Sequence, residues 1–224
     1  VIARPPLAVP LLALLALALL TTALIVDPVA VARVDAPVSE WLRVHVERLP
    51  VLVAILRVVT DLAATVPFLA AGAGAAVLFA ARADRVRAAF CALVTVLTPV
   101  GWALGQWLLH RPRPVDGFIT VTANGFPSGH TSNAAAAALA VVLLTWSGLR
   151  PAGRTWLVVT AAVTVIGIAG TRLVLLAHWP VDVVGGVLFA TVVVSAVARS
   201  LPRKVPGGQA TPDSPPGKVS SRDG

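Results

Sequence analysis

Two of the four histidines in this chain stand beside residues suited to holding an anion. His130 closes the run Pro127-Ser128-Gly129-His130. His178 lies six residues after Arg172 and four before Asp182. A third cluster, Arg111-Pro112-Arg113-Pro114, supplies two more guanidinium groups. Arginine is a permanent, fork-shaped cation that matches the oxygens of a phosphoryl group. Histidine transfers protons near neutral pH and, as the free imidazole, attacks electrophiles. A carboxylate four residues away could fix the tautomer of His178 and leave its other nitrogen free. Ser128 offers a hydroxyl, Gly129 an approachable backbone N–H, and a following helix N-terminus adds further donors. Together these residues suit the handling of a phosphate.

Taken singly, each has an ordinary structural explanation. Arg113 or Arg172 could snorkel to lipid headgroups. Ser128 or Thr131 could cap a helix. Asp182 could complement a helix dipole in a first turn opened by Pro180. His178 could be an interfacial neighbour of Trp179. Their joint occurrence is what favours a site.

The elements that must position these residues are apolar. Of 224 residues, 57% are hydrophobic and only 12% are charged, about half the share usual in a soluble domain. Runs of 18 or more apolar residues imply membrane spans. Six are expected, over 7–26, 62–81, 88–109, 131–147, 155–176 and 181–198. The first exceeds the length of a signal-peptide core and reads as a retained helix. Residues 27–61, with Trp41, His45, Glu47 and Arg48, read as a loop plus an interfacial helix. Pro99-Val100-Gly101 is expected to break span three, and 110–130 to form a polar loop. The fold class is therefore all-α: one six-helix membrane domain over 1–201 and a disordered, cytoplasmic Pro/Gly/Ser-rich tail over 202–224. The net charge of +8 does not imply nucleic acid binding, because the arginines sit in short loops rather than on one basic face. A single cysteine, Cys91, excludes an internal disulfide and a cysteine-based zinc site.

Loop charge sets the orientation. With six spans, one side carries eleven Lys/Arg, among them Arg4, Arg82, Arg85, Arg87 and Arg199; the other carries seven, three of which are Arg111, Arg113 and Arg172. The termini are expected to be cytoplasmic. By parity, the 110–130 loop and the 172–182 turn then share the opposite face, so three clusters up to 71 residues apart meet there.

Arg113-Pro114, Pro127-Ser128-Gly129-His130, and Arg172 with His178 and Asp182 resemble the three signature motifs of the type 2 phosphatidic acid phosphatases. That superfamily also holds glucose-6-phosphatases and vanadium-dependent haloperoxidases. The motifs span 106–182, and the helical layout extends the likeness over about 5–200. The resemblance implies an acid phosphatase/haloperoxidase-like core. It implies that His178 attacks phosphorus to form a phosphohistidine, Asp182 orients it, and His130 protonates the leaving oxygen. Arg113, Arg172, Ser128 and the Gly129 N–H would hold the phosphoryl oxygens. No metal or other cofactor is implied. The family's usual lysine, seven residues before the motif arginine, is here Gln106, and Thr171 replaces a serine before Arg172. Losing one charge-assisted contact would cost about 1.5–3 kcal/mol. Arg111 or His110 is expected to offset it.

The expectation is an integral membrane phosphatase of phosphatidic acid, diacylglycerol pyrophosphate, phosphatidylglycerophosphate or polyprenyl pyrophosphate, acting at the extracytoplasmic face of a bacterial cell membrane. Its partner is the lipid phosphate substrate, with no nucleic acid. A non-catalytic lipid-phosphate binding or transport protein that keeps the pocket is the alternative. A vanadate-dependent haloperoxidase fits less well, since that branch is soluble.

Overall fold

The structure is a computed structural model and describes residues 2–121 and 123–202. The expected tail, apart from Pro202, lies outside the described residues. Among the described residues, eight α-helices run in order: α1 (Ala8–Val26), α2 (Pro28–Val46), α3 (Pro50–Asp61), α4 (Thr65–Ala81), α5 (Arg85–Leu109), α6 (Gly129–Thr145), α7 (Pro151–Val174) and α8 (Pro180–Ser200). A 3-10 turn over Trp146–Gly148 extends α6. Six stretches of the described residues are long and apolar enough to cross a bilayer: Ala8–Val26, Pro50–Ala81, Arg85–Leu109, Gly129–Gly148, Pro151–Val174 and Pro180–Ser200. The protein is an all-α, multi-pass membrane protein.

Sequence explains where many of these helices begin. Proline opens α2, α3, α7 and α8 in its favoured first-turn place. Asp27 caps α2 by accepting the Ala30 N–H at 2.9 Å, and Asp84 caps α5 through the Arg87 N–H at 3.2 Å. α5 ends where His110 turns left-handed, with φ of 46°.

Three sequence expectations change. α5 runs unbroken through Pro99. A proline inside a membrane helix is tolerated because neighbouring groups take up the freed carbonyl. The 27–61 stretch is two helices joined by a short turn, not a loop and one helix. α3 also joins α4 across the turn at 62–64, so the second span begins at Pro50 rather than 62.

The bundle is built around α6. Its alanine run lets α5, α7 and α8 approach closely, as small residues do at helix contacts in lipid. Ala135 and Ala136 pack with Phe90, Cys91, Val94, Ala190 and Val194 in the main core. Large side chains such as Leu12, Val163 and Ile166 face outward, where lipid replaces water. Gly186 on α8 is a point of contact: a Cβ there would meet the Ser128 carbonyl oxygen at 2.9 Å. This glycine brings the start of α6 against α8 and so brings two of the sequence clusters together.

The far end is tied by the N-terminal segment. The Ala3 N–H donates to the Leu143 carbonyl at 2.9 Å, and Arg4 donates to the carbonyls of Ala198 and Leu201. Arg199 donates in return to the Pro5 carbonyl. The N-terminal segment thus lies at the C-terminal ends of α6 and α8, opposite the end where both helices begin.

Candidate active site

At that opposite end lies a cavity of about 420 Å³. His130, His178, Arg113, Arg172, Gly129 and Gln106 line it together with Arg57, Thr60, Asp61, Thr65 and Trp102. The two histidines come from different elements. His130 is in the first turn of α6, and His178 is in the short connection between α7 and α8.

The α7–α8 connection is tightly tied. The Ala177 N–H donates to the Arg172 carbonyl at 3.0 Å and the Leu175 N–H to Thr171 at 2.9 Å. Leu176 adopts a left-handed φ of 50° while fully buried, a conformation that packing must enforce on a leucine. These bonds aim His178 into the cavity although the residue is only 1% exposed.

Asp182 stands in the first turn of α8, as its spacing from Pro180 requires. One carboxylate oxygen accepts the Trp179 N–H at 3.0 Å and lies 3.4 Å from His178 Nδ1. The other accepts from Arg111. His178 Nε2 lies 2.8 Å from Arg113 Nη1. A guanidinium can only donate, so Nε2 carries the lone pair and Nδ1 carries the proton toward Asp182. This is the tautomer that a nucleophilic Nε2 needs.

Arg113 is fixed by carbonyls. Its Nε donates to Ala123 at 2.6 Å, Nη1 to Ala177 at 2.5 Å and Nη2 to Asn124 at 2.8 Å. Burial lowers its pKa while Asp182 opposes that shift, and a guanidinium so placed remains charged. Arg172 is also buried. Its Nη1 donates to Thr60 Oγ1 at 2.9 Å, and its Nε has no hydrogen-bond partner. A buried guanidinium on a cavity wall suits an anion. Thr171 supports the same threonine at 3.0 Å, so the family's serine position here steadies Arg172 through Thr60.

Burial drives the pKa of His178 down to about 4, with Asp182 raising it and Arg113 and Arg172 lowering it further. The groups facing it are Asp182 from α8, Arg172 from α7, His130 from α6 and Arg113 from the preceding loop. His178 is therefore neutral at pH 7. A catalytic role for His178 as the free imidazole would place the acidic limb of kcat/KM near pH 4 rather than at the ordinary 6.5, and a pH–rate profile measures it. The sign for stability follows. Between the two values the unfolded chain binds the proton and the native chain does not, so stability declines as pH falls from 6.5 toward 4.

Other expected site residues stand behind the wall. Ser128 is fully buried at the N-cap of α6 and is not among the cavity-lining residues. Its Oγ accepts from Thr131 at 3.0 Å, and its N–H donates to the Asp182 carbonyl at 3.0 Å. It ties two motifs together. Arg111 is also absent from this wall: its guanidinium bridges Asp182 and Asp35. With both ends engaged by carboxylates, it is not free to offset the missing lysine. His110 is exposed outside the cavity. Gln106 is on the wall, but its Nε2 donates to the Pro127 carbonyl at 2.9 Å and supports the loop before His130.

Sequence reasoning missed the contribution of α3. Arg57, Thr60 and Asp61 share one helix face by their spacing of three and four, and that pattern was readable. It also missed Trp102. The indole donates to Asn133 at 3.1 Å, Asn133 donates to the Ala63 carbonyl at 3.1 Å, and the α3–α4 turn is thereby held beside the site.

Known proteins resemble this chain in sequence and in fold. Phosphatidylglycerophosphatase B of Escherichia coli strain K12 is 36% identical over 102 residues, 46% of this chain and 38% of that protein. The Shigella flexneri protein of the same name matches equally. The matched segment thus spans well under half the length of these relatives. A transmembrane PAP2-type phosphatidylglycerolphosphate phosphatase from Bacillus subtilis has the same fold, with a TM-score of 0.72, 20% identity, and coverage of 87% of this chain and 96% of that one. The PAP2 superfamily model matches residues 90–206, just over half of the sequence and all three motifs, and the chain therefore belongs to the PAP2 superfamily.

Proposed function

We propose that this protein is a membrane phosphatase that removes a phosphoryl group from a lipid phosphate through a phosphohistidine at His178. The observation that carries this reading is one cavity lined by both histidines and by Arg113 and Arg172. His178 Nε2 forms a bond to phosphorus as the ester P–O bond breaks. His130 gives its proton to the departing oxygen. Water then attacks the phosphohistidine, His130 takes the water's proton, and the N–P bond breaks to release phosphate. Arg113 exchanges its contact with His178 for phosphoryl oxygens, and Arg172 adds a second guanidinium on the same wall. Both stabilise the charge of the transition state. The Gly129 N–H, at the start of α6, joins them.

The cavity is at one end of six membrane-crossing stretches, where a bilayer-anchored substrate arrives by lateral diffusion. Loop charge supports an extracytoplasmic site and cytoplasmic termini. Phosphatidylglycerophosphate leads the candidates, as the substrate named in all the relatives above, with phosphatidic acid and polyprenyl pyrophosphate behind it. Purified protein is tested on this panel in the presence of a chelator. Phosphate release that is lost in His178→Ala supports the reading; equal release by both proteins refutes it and leaves a phosphate-binding protein.

Gln106→Lys tests the departure from the family pattern. A lysine there can still donate to the Pro127 carbonyl and adds a cation to the wall. A charge-assisted contact of about 1.5–3 kcal/mol lowers KM by roughly one to two powers of ten. A raised KM or lost activity would instead mean that the amide itself reads the substrate.

A further inference from the structure

We infer that Asp35 and Arg111 are positioning residues for the phosphoryl-transfer site, acting through Asp182 on His178. This inference rests on the phosphatase reading proposed above. Asp35 belongs to none of the three motifs and lies on α2, the amphipathic helix that follows the first span.

The geometry is a buried chain of alternating charge. Arg111 gives one Nη to Asp182 and the other to Asp35. Both carboxylates are completely buried, and the Arg111 side chain is 13% exposed. The second oxygen of Asp35 accepts the Val181 N–H at 3.0 Å, in the same first turn of α8 that carries Asp182. α2 is thus anchored to α8 twice, once directly and once through Arg111. The chain continues from Asp182 to His178 Nδ1 and ends at the nitrogen that faces the cavity.

Charge explains why two carboxylates are present. A carboxylate shared with one guanidinium has part of its field cancelled. If Arg111 paired with Asp182 alone, it would weaken the hold of Asp182 on the His178 proton. Asp35 neutralises Arg111 from the other side and restores the field at Asp182. Burial raises the pKa of Asp35, while the Arg111 ion pair and the Val181 N–H lower it. The arrangement fixes the Asp182 carboxylate in place without cancelling the charge that offsets part of the burial penalty on the His178 imidazolium.

The test is steady-state kinetics on short-chain phosphatidic acid in detergent micelles, run for wild type, Asp35→Asn, Asp35→Glu, the double variant Asp35→Asn/Arg111→Gln, and His178→Ala as the inactive reference. Asp35→Asn leaves Arg111 uncompensated beside Asp182. The groups facing His178 are otherwise unchanged: Arg113, Arg172, His130 and Asp182. The imidazolium is then disfavoured, so the acidic limb of kcat/KM moves to lower pH. kcat falls severalfold, by at most about tenfold for each unit of that movement, with KM nearly unchanged. Asp35→Glu recovers part of the rate. The double variant removes one charge of each sign and returns the limb toward its wild-type position. A structural role alone would not produce that return. An Asp35→Asn protein with wild-type kcat and pH limb overturns the inference, as does one in which KM alone changes or in which the double variant shifts the limb further down. Wild-type activity no greater than that of His178→Ala would instead defeat the underlying phosphatase reading.

Discussion

His178→Ala is expected to abolish turnover while leaving a folded protein. The imidazole is the group on the cavity wall whose lone pair is oriented by a carboxylate on one side and met by a guanidinium on the other. Removing a nucleophile that forms a covalent intermediate costs on the order of a million-fold in kcat in the best-studied hydrolases. In practice phosphate release falls to background. The fold should survive because the loop is held by backbone bonds from Leu175 and Ala177 that do not involve the ring. Detergent-solubilised protein with an unchanged helical spectrum and melting profile, but no phosphate release, is the expected outcome. Activity within tenfold of wild type would transfer the nucleophile's role elsewhere.

Asp182→Asn has the second expected consequence, and its cause is different. The carboxylate accepts from the Trp179 N–H and from Arg111, and it faces the His178 Nδ1–H. An amide keeps one oxygen acceptor but presents its NH2 group either to Arg111 or to the side shared by the Trp179 N–H and His178 Nδ1. If the oxygen stays with Arg111, the NH2 faces Nδ1, which must then accept, and the proton moves to Nε2. The attacking nitrogen loses its lone pair. The corresponding change in a Ser-His-Asp hydrolase lowers kcat about 10⁴-fold through the same tautomer error. A comparable fall, with KM little changed, is expected here. Stability also suffers, because Arg111 loses the charge of one of its two buried carboxylate partners; breaking such a buried pair costs about 3–5 kcal/mol. Melting in detergent separates the two effects. A variant that melts lower but turns over normally would remove Asp182 from the mechanism.

Much of this molecule is legible in its sequence because membrane physics leaves few choices. Apolar runs interrupted by arginines and prolines give the six spans to within a few residues, except where α3 and α4 share one. Pro99 misled because helix-breaking rules describe water, which hydrates the freed carbonyl and any other backbone groups that a break exposes. In a membrane helix it stays in place. The convergence of His130, His178, Arg113 and Arg172 followed from parity alone: one set of loops must share one face. Side-chain direction did not follow. Arg111 and Arg113 are two residues apart, yet one turns to a carboxylate pair behind the wall and the other to the cavity. Nothing in the run Arg-Pro-Arg-Pro distinguishes them, since the deciding partner, Asp35, lies on α2, 76 residues away. Gln106 was similar. Its distance from Arg113 gave its place on the wall, but its bond to the Pro127 carbonyl depends on a loop whose path only the folded chain defines.

One sequence signal was present and not used. Arg57, Thr60 and Asp61 form a polar face immediately before an apolar run, which is unusual for a purely interfacial helix. Thr60 proves to be the partner of Arg172. A polar face that close to a membrane span usually meets other polar groups, because the alternative is an unsatisfied donor in hydrocarbon.

Trapping the covalent intermediate is the decisive measurement. Lipid substrate carrying a radiolabelled phosphoryl group is mixed with enzyme, quenched in alkali, and digested. Label on a peptide containing His178, stable to base, labile to acid and absent from His178→Ala, is the expected result. Label on any other residue, or full turnover with no labelled peptide at any quench time, contradicts it.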